Sequence, residues 1–129
     1  MENAIQHPVG GVLVSGDLIF STKITGTARA LGLEVQVVGS PDAAIERIRS
    51  RTPRCVLLDL GLNSLTTESI GRIISVAAGA TVLAFGSHVD TARLDVARNA
   101  GCTEVMPRSR LSGELPELLQ RYLAVTPAE

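Results

Sequence analysis

Five short apolar runs recur along this chain about 20 to 26 residues apart: Val12 to Ser15, Leu33 to Val38, Cys55 to Leu60, Thr81 to Phe85 and Glu104 to Met106. Each is followed by a segment with helical spacing. Runs this short are strands rather than helices, and their near-continuous apolarity marks strands covered on both faces. Strict alternation of strand and helix then requires right-handed crossovers, which makes a three-layer α/β domain with a parallel sheet.

The helices have legible faces and ends. Ser40 precedes Pro41 as an N-cap before a first-turn proline, with Ala44, Ile45 and Ile48 on one face. Ile70, Ile73, Ile74 and Ala77 form a second stripe. A fourth helix runs from near Asp90 to a terminating Gly101, and Leu115, Leu118, Leu119 and Tyr122 line the last, with Pro116 confined to its first turn. The first helix turns Phe20, Ile24, Ala28 and Leu31 inward, although Gly26 in its interior costs about 1 kcal/mol relative to Ala. These signals predict one domain over residues 10–124, with loose tails at 1–9 and 125–129. Five strands and five helices favour a flavodoxin-like sandwich in the order 2-1-3-4-5, whose crevice opens at the carboxyl ends of strands 1 and 3.

Composition agrees with that layering. Of 129 residues 45% are hydrophobic but only 2% aromatic, so the core is aliphatic. A net charge of -1 and the lack of a basic stripe argue against nucleic-acid binding. Neither a membrane-length apolar segment nor a secretory pattern is present, so a cytoplasmic protein is expected. Cys55 and Cys102 show no CxxC spacing and are expected to be buried free thiols.

Asp59 is the chemical anomaly, a lone carboxylate at the end of the apolar run Cys55-Val-Leu-Leu-Asp-Leu. The predicted topology brings it to the crevice beside Ser15, Gly16 and Asp17, which follow the first strand. Ser87-His88-Val89-Asp90 holds the residue types of a hydrolytic triad, but on one turn it cannot adopt the triad's geometry, and a helix cap is the expected role. Gly10, Gly11 and Gly16 do not make a GxGxxG, and no GxxxxGK[ST] occurs; a small-molecule or nucleotide binder at the crevice stays open on topology alone. No acid–base pair accompanies a nucleophile, so an enzyme is not expected.

The chain resembles the receiver domain of two-component response regulators over roughly residues 10 to 123. The resemblance is carried by Cys55 to Leu60, by Ala100-Gly-Cys-Thr-Glu-Val-Met-Pro-Arg-Ser109, and by Gly113-Glu114-Leu115 entering the last helix. It implies that Asp59 matches the phosphoacceptor that takes a phosphoryl group from a histidine kinase. In that family two adjacent acids after strand 1 help to hold Mg²⁺, and here those positions fall on Ser15 and Gly16. Asp17, one residue on, would join Asp59 as a metal ligand or else cap the first helix. The hydroxyl position at the end of strand 4 falls on Gly86, with Ser87 beside it. Arg108 replaces the family's Lys, exchanging a compact ammonium for a planar fork, and Val105 replaces its switch aromatic.

Two roles follow for Asp59: phosphoacceptor, or a carboxylate that bonds loop amides or pairs with Arg108 in place of a metal. The departures favour a stand-alone pseudo-receiver that signals by contact with another protein, a histidine kinase or an effector, with a phosphorylatable single-domain regulator as the alternative. The resemblance also implies a contact or homodimer surface on the fourth helix, fifth strand and fifth helix, where Arg93, Arg98 and Arg110 are expected.

Overall fold

A computed structural model describes residues 10–124; the expected tails lie outside the described residues. The elements are β1 (Gly11–Val14), α1 (Leu18–Ala30), β2 (Val35–Val38), α2 (Pro41–Ser50), β3 (Cys55–Asp59), α3 (Thr67–Val76), β4 (Thr81–Gly86), α4 (Thr91–Ala100), β5 (Glu104–Pro107), α5 (Arg108–Gly113) and α6 (Leu115–Leu123). The strands form one parallel sheet in the order β2-β1-β3-β4-β5. This is the expected flavodoxin-like topology.

The helix count is corrected from five to six. A short helix follows β5 directly, with Pro107 at its N-cap and Arg108 as its first residue. The chain breaks at Glu114, where Pro116 can enter only the first turn of a new helix.

Alternation along each strand sorts the core into two layers. Val12, Val14, Val56, Leu58, Val82 and Ala84 pack with Ile45, Ile48, Ile70, Ile73, Leu94 and Ala97 beneath α2, α3 and α4. Leu13, Cys55, Leu57, Leu83 and Phe85 pack with Ile24, Ala28, Leu111, Leu118 and Leu119 beneath α1, α5 and α6. Side-chain caps fix four helix starts: Asp17, Ser40, Thr66 and Asp90 accept from Phe20, Ala43, Ser69 and Arg93 backbone N–H groups. Gly101 ends α4 in the left-handed region at φ 99°, a conformation costly for any residue with a Cβ.

Both cysteines are free, but only Cys55 is fully buried; Cys102 is half-buried. Burial pushes the Cys55 thiol up to about 12 and that of Cys102 up to about 11. No helix among the described residues is long and apolar enough to cross a membrane.

Candidate functional site

Strand parity decides what Asp59 faces. Cys55 and Leu57 point toward α1 and α6, so Asp59, two residues on, points the same way, beyond the last core layer at the carboxyl end of β3. The carboxylate is 2% exposed. A carboxylate so enclosed needs donors, and three are supplied. Ser15, the residue after β1, donates its hydroxyl to Oδ2 at 2.6 Å. The backbone N–H of Gly61 donates to Oδ1 at 2.9 Å. Arg108 brings Nη2 to the same oxygen at 3.1 Å, a charge-assisted contact.

Arg108 is itself held in place. Its guanidinium carbon lies 5.6 Å from the centroid of the Phe20 ring, within range of a cation–π contact. Phe20 in turn packs against buried Phe85, with ring centroids 5.4 Å apart and planes at 55°. Two of the three aromatic residues of the chain thus support the arginine that meets Asp59.

Asp17 lines the same cleft but spends Oδ1 on the Phe20 N–H at 2.9 Å, as the N-cap of α1. Its own N–H donates to Ser15 Oγ at 3.0 Å, which orients the hydroxyl toward Asp59. The cleft has a volume of about 520 Å³ and is lined by Gly16, Asp17, Asp59, Gly61, Leu62, Asn63, Ser64 and Arg108.

Gly86 and Ser87, expected beside Asp59, are placed differently. Position 86 shares parity with Val82 and Ala84, so it faces the opposite layer. A Cβ there would stand 3.1 Å from the Cβ of Leu60 and 3.7 Å from Leu94. Leu60, buried on that face, fills the space a side chain would need. Ser87 is exposed, accepts from the Val89 N–H at 3.4 Å, and lines a separate cavity on the far side of Arg108.

The expectation for Arg93 is also corrected. Its guanidinium turns inward, donating from Nε to the Leu60 carbonyl at 3.0 Å and from Nη2 to that of Leu62 at 3.1 Å. It ties α4 to the loop that follows Asp59, with the residue half-buried. Arg98 and Arg110 do lie on the surface, paired with Asp95 at 2.9 Å and Glu114 at 3.5 Å. Leu60, Gly61 and Phe20 were not marked as site residues by the sequence. Phe20 was legible as an inward residue of the first helix, but the guanidinium above it was not.

No family model matches the chain, and no curated protein matches it. Solved structures do. The receiver domain of the sensor histidine kinase PA1611 from Pseudomonas aeruginosa PAO1, with a magnesium ion coordinated in its active site cleft, has a TM-score of 0.74 at 20% identity, covering 89% of this chain and 97% of that one. The receiver domain of NtrX from Brucella abortus has a TM-score of 0.74 at 19% identity, covering 90% and 99%. A response regulator from Thermotoga maritima has a TM-score of 0.71 at 17% identity, covering 89% and 97%. The fold is that of response regulator receiver domains.

Mg²⁺ demands near-octahedral oxygen ligands, usually one or two carboxylates with several waters. The donor set around Asp59 is a poor fit to that demand. Asp59 already receives a hydroxyl, an amide and a guanidinium, Asp17 caps α1, and no group of three His, Cys, Asp or Glu side chains suited to a metal occurs among the described residues.

Proposed function

We propose that this chain is a receiver-fold signalling module that acts through protein contact, with Asp59 serving as a structural carboxylate rather than as a phosphoacceptor. The observation that supports this reading is that both oxygens of Asp59 already accept hydrogen bonds, Oδ2 from Ser15 and Oδ1 from Gly61 and Arg108. An aspartate that attacks phosphorus needs an open oxygen and cationic help for the transferring oxygens. Here the available cation is bonded to the would-be nucleophile. Ser15 and Gly16 stand where the receiver resemblance puts the metal-binding acids, and Leu60 occupies the space beside Gly86.

Contact would then be made through α4, β5 and the helices after it, with a signalling protein or a second copy of the chain. Arg98 and Arg110 sit there in exposed pairs, each worth about 0.2–1 kcal/mol and readily exchanged for a partner's carboxylates. The module carries out no reaction of its own.

The second reading, a phosphorylatable regulator, draws on Asp17 lining the same cleft as Asp59. Titration with Mg²⁺ into the millimolar range, followed by amide NMR, separates the two. The structural reading predicts no saturable shift at Asp17, Asp59 or Gly61. Saturable shifts at those three amides, lost in Asp59→Asn, would favour the phosphorylatable regulator instead.

A further inference from the structure

Arg108 borders two cavities. One is the Asp59 cleft. The other, of about 350 Å³, lies between α1, the segment joining β4 to α4, and α5, and is lined by Phe20, Ser87, His88, Arg108, Ser109 and Ser112. Three of these six residues carry hydroxyls, and none is acidic. Lys23, one turn along α1 from Phe20, reaches Ser112 with its ammonium, which brings a second cation to the rim. While Nη2 of Arg108 is bonded to Asp59, its Nε is buried without a hydrogen-bond partner among the described residues. That Nε has no exposed surface, so an anion in the cavity would meet the other N–H groups of the guanidinium.

We propose that this second cavity is a binding site for a small oxyanion, a phosphate or the phosphate group of a small ester. Arg108 and Lys23 supply the charge, and Ser87, Ser109 and Ser112 supply donors that turn to suit tetrahedral oxygens. The site is separate from the Asp59 cleft and involves no covalent step. An oxyanion on Arg108 competes with Asp59 for the guanidinium, so occupancy of this cavity is felt at the Asp59 carboxylate. The inference does not depend on whether Asp59 is phosphorylated, because inorganic phosphate carries no activated phosphoryl group.

The test titrates the whole chain with inorganic phosphate and, in parallel, with glycerol 3-phosphate, each against chloride at matched ionic strength, and follows the amides by NMR. Saturable shifts at Ser87, Ser109 and Ser112 are expected. Lys23→Gln, an exposed change that leaves the core untouched, is expected to weaken binding by about threefold or more, and Arg108→Gln to remove it. Tighter binding of the ester would identify a small phosphate ester as the ligand; equal or tighter binding of phosphate would identify the free ion. Shifts no larger than those from chloride, or shifts confined to the Asp59 cleft at Gly61 to Ser64, would overturn the proposal, as would undiminished binding by Lys23→Gln.

Discussion

The carboxylate of Asp59 shares its two oxygens among a hydroxyl, an amide and a guanidinium, and the consequences of removing it follow from what each donor loses. Asp59→Ala strands the Ser15 hydroxyl and the Gly61 N–H in a buried place and leaves Arg108 unpaired. Because Arg108 is 38% exposed, water recovers part of the loss, and a cost of about 2–4 kcal/mol is expected. Asp59→Asn keeps an acceptor for Gly61 and Arg108 and should cost about half as much; urea midpoints measure both. Gly86→Ser is expected to destabilise by about 1–3 kcal/mol. Its Cβ would press on Leu60 at 3.1 Å, and Leu60 cannot retreat, because its N–H is bonded to Phe85 and its carbonyl to Arg93. A gain in stability on urea unfolding would show that Leu60 yields. Cys55 gives an alkaline signature. Burial pushes its thiol up to about 12 in the fold, above the ordinary value of 9.0, so it stays protonated while the unfolded chain ionises. Its contribution is fully present below pH 9 and is lost as pH rises from 9 toward 12, at up to about 1.4 kcal/mol per pH unit. Cys55→Ala should flatten that limb of a stability–pH curve.

At the scale of elements, the loop after β3 is pinned from both sides of the sheet. Asp59 receives Gly61 on one side, and Arg93 reaches across from α4 to Leu60 and Leu62 on the other. Arg93→Ala is expected to cost about 1–3 kcal/mol and to speed amide exchange at Leu62 and Leu65, whose N–H groups close the turns of this loop. Unchanged exchange there would show that Arg93 does not hold it. The strands and most helix ends were legible in the sequence because apolar runs, N-caps and Gly101 report local geometry. The break between α5 and α6 was only half legible: Pro116 marks a first turn, but nothing local announces a helical turn at Arg108. The inward course of Arg93 was hidden for a different reason. A guanidinium that bonds backbone carbonyls from a distant element leaves no mark in the spacing of either segment.

Across the whole molecule, topology does what sequence proximity cannot. It brings Ser15, Asp59 and Arg108 together from three separate strand ends, and strand parity then turns Asp59 and Gly86 to opposite layers. Asp59 and Arg108 lie 3.1 Å apart, a pairing already among the roles the sequence leaves open to Asp59, whereas the orientation of Gly86 depends on parity plus the bulk of Leu60. The receiver fold is kept, while the groups around its crevice bond one another. The most direct test is intact-protein mass spectrometry after incubation with Mg²⁺ and a small acyl phosphate donor. A structural Asp59 predicts an unchanged mass in the wild type and in Asp59→Asn alike. A phosphoryl mass gain that disappears in Asp59→Asn would contradict it.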